Sequence, residues 1–255
     1  QSWKVYVPEG RSGTYGRLRL QGVGHVQIKL HRSMGDAVPC KLVVRRRGRR
    51  WEATVFYKNV MPRPVPAPAG VAAGVDRGVT VLAAIAGSDG TTELVENPRH
   101  LRNAQTDLAR KQQRLARCQR GSNRRAKARA EVVELHRKVA DARKDRNHQL
   151  SRRLVDSFDV IVLEDLKVAN MVRRPAAKPD PDAPGEWLPN GAAAKAGLNK
   201  SIQDAGWGQL AVMLRYKAAE AGREIITVDS RHTSQTCSHC GHVDAGNRAG
   251  VKFEC

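Results

Sequence analysis

The chain has 255 residues and carries 45 Lys and Arg against 25 Asp and Glu, a formal net charge of +20. A length of this size can bury a real core in one large or two small domains. Its apolar runs fall short of the roughly twenty residues a spanning helix needs, no secretory or targeting segment is visible, and a basic excess this large points to a polyanion, nucleic acid first.

Residues 1–60 read as β. Arg17–Leu20 and Val26–Leu30 alternate as half-buried strands do, and Lys41–Val44 and Trp51–Tyr57 follow, with Arg45 to Arg50 as a basic hairpin tip around Gly48. These strands suggest a small barrel or the end of one, and the tip is either a solvated turn or a phosphate contact. Pro at 62, 64, 66 and 68 makes 61–70 a stiff linker and a domain boundary.

Three strands joined by tight turns are expected over 71–79, 80–86 and 91–95, the first ending in Asp76. Residues 99–153 read as a helical hairpin broken at Gly121–Asn123. Leu101, Leu108 and Leu115 recur before the break, and Val132, Leu135, Val139 and Ala142 after it. Eighteen Lys or Arg face five acids across this segment, which makes a phosphate-facing role more apt than a merely solvated face. Phe158–Leu163, apolar but for Asp159, reads as a strand of the kind buried on both faces in a parallel sheet, and it ends in Glu164 and Asp165. Residues 173–200 read as a Pro- and Ala-rich loop. A helix is expected over Ser201–Gly222, and a strand over Arg223–Val228. Trp51 and Trp207 could stack on bases, with core packing the more apt job for both.

Two features carry chemistry. Asp76 and Glu164 each end a core strand. If those strands lie parallel and adjacent, the two carboxylates converge and repel unless a cation sits between them. Hard oxygen donors suit Mg²⁺ or Mn²⁺, and a pair of such ions about 4 Å apart serves phosphodiester hydrolysis. Asp165 should point to the opposite face, and Asp229 is a weak candidate. The second feature is Cys237-Ser-His-Cys240-Gly with Cys255. A pair of Cys two residues apart bites one tetrahedral Zn²⁺, and a second pair is expected about fifteen to twenty residues on. Cys255 fits as its first member, so a fourth ligand is expected past the last residue, and with Gln1 at the start the chain reads as an internal piece of a longer protein. Cys40 and Cys118 stand alone, which is metal-site usage of a reducing cytosol rather than a disulfide framework.

Gly74–Val79, Ile161–Leu166 and Thr233–His242 together resemble the successive signatures of the TnpB family, transposon-encoded RuvC-type nucleases of the OrfB type related to type V CRISPR effectors. The segment Arg143–Ser151 resembles the stretch ahead of the second signature. The resemblance covers about 70–255 well and 1–60 more loosely. It implies an α/β fold: an RNase H-like (RuvC) mixed sheet over 71–230 with the helical hairpin inserted, a zinc ribbon over 231–255 incomplete at its C-terminus, and before them part of an RNA- or DNA-binding β-barrel. It implies metal-dependent, RNA-guided DNA cleavage in a prokaryotic cytosol, with guide RNA and target DNA as partners and no membrane. By position, Asp76 and Glu164 match the first two catalytic, Mg²⁺-binding acids, and Cys237, Cys240 and Cys255 match three Zn²⁺ ligands. The family's third acid follows the fourth Cys. Arg77 departs from the family's usual apolar residue, typically Leu. Arg110, Lys111, Arg114, Arg117, Arg124, Arg125 and Lys127 are the expected nucleic-acid contacts of the hairpin. The other readings are an RNA-guided binder without cleavage and a plain basic or zinc-ribbon adaptor. Nothing in the sequence sets the oligomeric state.

Overall fold

The computed structural model describes residues 2–6, 15–30, 37–48, 50–58, 70–183, 185–231, 233, 235–237, 239–249 and 252–255. The Pro-rich segment 61–69 and Ser234 lie outside them. The chain divides into two compact units, 1–63 with 107–138 and 64–106 with 139–255.

In the first unit, β1 (Trp3–Tyr6), β2 (Tyr15–Leu20) and β3 (Gly24–Lys29) form a three-stranded antiparallel sheet. Strands β4 (Val38–Arg47) and β5 (Arg50–Lys58) form a separate hairpin. In the basic tip of that hairpin Arg45, Arg46 and Arg50 are exposed, and Arg47 and Gly48 are half-buried. Its turn glycine, Gly48, has φ 62°, and a Cβ there would sit 3.0 Å from Glu134 Oε2. Arg45 and Arg47 both pair with Glu52. Trp51 is 70% exposed, contrary to its expected place in a core: a two-stranded ribbon has no second layer to cover it.

The second unit is built on a five-stranded mixed sheet of β6 (Ala72–Asp76), β7 (Val81–Gly87), β8 (Thr92–Glu96), β9 (Val160–Glu164) and β12 (Glu224–Val228), in the order β12-β9-β6-β7-β8. The three expected strands after residue 70 form its antiparallel half, and β6, β9 and β12 run parallel. Between β8 and β9 lie helices α1 (His100–Ala116) and α2 (Asn123–Ser157), with the expected break around Gly121. Between β9 and β12 come the short helix α3 (Val168–Met171), a small ribbon of β10 (Lys178–Pro179) and β11 (Trp187–Leu188), then α4 (Ala192–Ala205) and α5 (Trp207–Ala221). The last segment holds β13 (Arg248–Ala249) and β14 (Lys252–Phe253).

The core lies on one side of the sheet. Ala73, Val75, Leu82, Ile85, Ile161 and Leu163 pack against Leu150, Leu154 and Val155 of α2, Ile202 of α4, and Leu210 and Leu214 of α5. The alternate positions, Gly74, Ala86, Leu94, Ile226 and Val228, are exposed. Strand β9 is therefore central and parallel but not buried on both faces: Val160 and Val162 are only half-buried, because the helices of the described residues cover one face.

Two further expectations are corrected. The loop expected over 173–200 ends at Gly191, where the helix-favouring Ala-Ala-Ala-Lys-Ala run starts α4. The helix expected over 201–222 is broken at Gly206, which takes φ 71° and ends α4 with its N–H on Ile202 O. A Cβ at Gly206 would meet Asn147 Nδ2 at 2.9 Å and Arg143 Cδ at 3.0 Å, so the close approach of α2 needs glycine there.

Asp204, just before that break, holds the start of α1. Its buried carboxylate accepts the backbone N–H of Leu101 (2.9 Å) and of Arg102 (3.1 Å), and Arg143 lies 3.4 Å away. These are orphan donors of a helix N-terminus, satisfied by an acid about a hundred residues distant in sequence. Replacing Asp204 with Ala leaves the two N–H groups and Arg143 without this partner, at an expected cost of about 3 kcal/mol in the unfolding free energy. Urea denaturation of the two proteins measures it.

Candidate functional site

Asp76 and Glu164 are brought together. In the β6–β9 ladder Val75 pairs with Leu163, which sets the next residues, Asp76 and Glu164, side by side at the C-terminal ends of neighbouring parallel strands about 4.8 Å apart. Val75 and Leu163 point into the core, so alternation sends both acids to the opposite, open face. There they line a concave site of about 560 Å³ with Gly74, Val162, Val228 and Thr233. Asp76 is exposed and Glu164 half-buried. Asp165 is exposed and pairs with Lys167 at 2.6 Å, a hydrogen bond that lowers its pKa from the ordinary value. Asp229 accepts the backbone N–H of Arg231. Neither of these acids lines the site.

Two residues that sequence reasoning did not assign to the site hold it. Thr233 donates its hydroxyl to Glu164 Oε1 at 2.6 Å, reaching back from the segment that leads to the cysteines. A threonine near a Cys pair gives no local signal that its partner is a carboxylate 69 residues away. Arg77 lies on the core side, 5% exposed, and its guanidinium donates to the backbone carbonyls of Glu164 and Trp207. Trp207 Nε1 donates in turn to Gly78 O at 3.1 Å. Burial lowers the pKa of Arg77, while Glu164 and, more weakly, Asp76 and Asp165 raise it. The residue that departs from the family pattern thus sits as a fixed cation beneath the acids and ties β9 to the first turn of α5.

The cysteines also converge. The Sγ atoms of Cys237, Cys240 and Cys255 all lie within 4.8 Å of one another, with Cys240 and Cys255 at 3.5 Å. Thiolates bound to one zinc at about 2.3 Å would be spaced similarly, so the donor set fits a soft-ligand metal. The knuckle is held by its backbone: Cys237 N–H donates to His242 O, and Gly241 N–H to Cys237 O. Asn247, buried, donates its side-chain amide to Gln235 O and His242 O. Backbone N–H groups of Cys240 and His239 pull the Cys237 pKa down to about 7, whereas hydrogen bonding to Cys240 and Cys237 pushes Cys255 up to about 11.

The basic residues of the hairpin have mixed surroundings. Arg114 and Lys111 pair with Glu131. Arg125 donates to Leu115 O and Cys118 O, which closes the turn between α1 and α2. Arg110, Arg117, Arg124 and Lys127 are exposed.

Residues 54–174 match the family model OrfB_IS605, "Probable transposase", and residues 207–255 match the "Cas12f1-like, TNB domain". A "Putative RNA-guided DNA endonuclease" of Streptomyces pristinaespiralis is 36% identical over 79% of this chain and 44% of its own length. The "Putative RNA-guided DNA endonuclease InsQ" of Escherichia coli K12 is 32% identical over 94% of this chain and 57% of its own length. The "CRISPR-associated endodeoxyribonuclease Cas12f1" of Sulfoacidibacillus thermotolerans is 30% identical over 53% of this chain and 28% of its own length. The chain thus spans about half the length of the first two relatives. A cryo-EM structure of a Cas12f1–sgRNA–target DNA complex aligns weakly, with a TM-score of 0.43 at 18% identity over 79% of this chain and 45% of that one.

Two outcomes follow from the geometry. Thr233→Val, which keeps the shape and removes the hydroxyl, should weaken Mn²⁺ binding about three- to tenfold by electron paramagnetic resonance titration, whereas Thr233→Ser should not. Unchanged affinity in the valine variant would mean that the hydroxyl does not position Glu164. Zinc must displace the thiol protons, and Cys255 stays protonated up to about pH 11. Zinc affinity should therefore rise about tenfold per pH unit for each thiol still protonated, between pH 6 and 9, in competition with a chromogenic chelator.

Proposed function

The chain belongs to the OrfB-type, TnpB-like family of transposon-encoded proteins, and from that premise we propose that it carries the catalytic part of a metal-dependent, RNA-guided DNA endonuclease. The observation that carries the reading is the juxtaposition of Asp76 and Glu164 at the ends of β6 and β9, on the open face of the sheet. The strand order, with three antiparallel strands followed by two parallel ones added at the first strand's side, supports an RNase H-like, RuvC-type sheet. The expected division into a β-barrel portion, a nuclease domain with the basic hairpin and a zinc ribbon is kept as part of this proposal. So is its place in a prokaryotic cytosol, where guide RNA and target DNA are found. No helix among the described residues is long and apolar enough to cross a membrane.

Two adjacent carboxylates, with no cationic side chain among the described residues that line their site, are a poor arrangement for bare protein and a good one for a hard divalent cation. Asp76 and Glu164 would hold Mg²⁺ or Mn²⁺, and the ion when bound supplies an activated water and charge neutralisation at the scissile phosphate. The chain's own residues do the rest. Thr233 fixes one oxygen of Glu164 and so directs the other. Arg77 anchors the backbone of Glu164 from below. The open face gives a phosphodiester access to both acids from solvent. Cys237, Cys240 and Cys255 would hold Zn²⁺, whose contribution is structural: it ties β13 and β14 to the knuckle, four residues after Thr233. Exposed Arg110, Arg117, Arg124 and Lys127 would track a phosphate backbone.

Glu93 also lines the site but is paired with Arg153, which leaves Asp76 and Glu164, fewer carboxylates than two-metal hydrolysis generally uses, so the 255-residue chain alone is expected to nick DNA poorly with Mg²⁺ even when RNA is supplied. In the full-length parent with its guide RNA, Asp76→Ala or Glu164→Gln should lower cleavage of a matched plasmid by about a thousandfold or more while leaving RNA binding intact. Cleavage that survives Asp76→Ala would overturn the assignment of the site. No cleavage by the unaltered full-length parent would leave the RNA-guided binder as the better account.

A further inference from the structure

A fixed positive charge meets the two acids where β6 and β9 end. Asp76 and Glu164 stand on the open face, and the residue after Asp76, Arg77, turns to the core side. It is 5% exposed, and its guanidinium donates to the carbonyl of Glu164 and, at 3.4 Å, to that of Trp207. It thus grips the main chain of the very residue that carries the second acid. Among the described residues that line the concavity around the acids none is cationic. Glu93, also at its rim, is paired with Arg153, and Lys167 is taken up by Asp165. Arg77 is the buried cation that the pair meets from within the protein.

Those two hydrogen bonds do not need a charge. A neutral amide can donate to a carbonyl, and a buried guanidinium costs far more to desolvate. The Nε of Arg77 is buried without a partner, so even its donors are not fully used. The charge persists all the same. Burial lowers the pKa of Arg77, Glu164 raises it, Arg215 lowers it, and Asp76 and Asp165 raise it, and a guanidinium is not deprotonated in proteins. Salt screens the field of a buried charge much less than that of an exposed one. The charge alters the balance at the site. One divalent ion would by itself neutralise two carboxylates. With Arg77 beneath them the ion leaves one positive charge over, and a phosphodiester carries the one negative charge that cancels it.

We propose that Arg77 sets the charge of the acid pair, so that a divalent cation is held weakly by the protein alone and firmly only together with a substrate phosphodiester. The cation of Arg77 works against the ion and for the phosphate, and so moves affinity from the first to the second. The proposal rests on the metal-site reading of Asp76 and Glu164, and it adds to that reading which of ion and substrate the bare protein favours. A family that usually carries Leu at this position lacks the cation, which makes the effect a property of this chain.

The test is a Mn²⁺ titration of the 255-residue chain by electron paramagnetic resonance, with Asp76→Ala as the reference for ions held elsewhere. Arg77→Gln, which keeps an amide donor and removes the charge, should bind Mn²⁺ about tenfold more tightly than the unaltered chain. Arg77→Lys, which keeps the charge, should stay within about twofold of the unaltered chain. With Mn²⁺ bound, a thymidine dinucleotide should bind Arg77→Gln about threefold more weakly, read from the Mn²⁺-induced relaxation of its phosphorus NMR signal. A purely structural Arg77 gives the opposite sign for the ion, because loss of its bonds loosens Glu164 and weakens Mn²⁺ binding. Equal or weaker Mn²⁺ binding by Arg77→Gln, with binding lost in Asp76→Ala, overturns the proposal and leaves the metal site standing. So does an Arg77→Lys variant that tightens as much as Arg77→Gln. Mn²⁺ binding that Asp76→Ala leaves unchanged sinks the metal site and the proposal with it. Circular dichroism melts show whether Arg77→Gln folds. If it does not, Arg77→Leu carries the same expectation of tighter Mn²⁺ binding and the same overturning result.

Discussion

Two like charges held side by side at the ends of neighbouring parallel strands are a cost that a fold must be built to bear. Asp76 and Glu164 are placed by main-chain hydrogen bonding, and no side-chain preference could keep two repelling groups together in its absence. The ladder between β6 and β9 is therefore the constraint on which the second unit turns. It is stiffened from the core side by Arg77, whose bonds to the carbonyls of Glu164 and Trp207 join strand end to helix start. A buried guanidinium is itself expensive, and its Nε has no partner. Its position beneath two carboxylates explains why a positive charge is tolerable there.

The same economy recurs at Asp204 and Lys217, two further buried charges of this unit. Asp204 caps α1, and Lys217 Nζ donates to His148 O and Ser151 Oγ at 2.6 and 2.7 Å. Each crosses between helices far apart in sequence, so each fixes how the helices meet one another more than it adds to net stability.

Much of this was legible because it is local. Strand-end acids, a Cys pair two residues apart and a heptad-like leucine row broken at glycine are patterns a chain displays within a few residues, and β6, β9, α1 and α2 stand where those patterns place them. What was not legible depends on partners distant in sequence. An apolar run such as Val160–Leu163 is the same whether helices cover one face of a sheet or two. Gly206 reads as a tolerable glycine inside a helix until Asn147 and Arg143 are seen to occupy the space of its missing Cβ. Arg125 reads as one more cation of a basic helix, and only the carbonyls of Leu115 and Cys118 reveal its structural bond. Thr233 belongs to the same class.

The sequence separation within the acid pair has a consequence in time. Arg77 and the carbonyl it grips lie 87 residues apart, whereas β6, β7 and β8 are joined by short turns and can pair as soon as they are made. Local hairpins close in microseconds, and parallel pairing across a long crossover must wait for loop-closure entropy to be overcome. During synthesis Asp76 is thus an ordinary solvated acid until β9 has emerged and docked. The two carboxylates do not meet while the chain is still nascent, and the order of folding itself delays their pairing until the scaffold that holds them is complete.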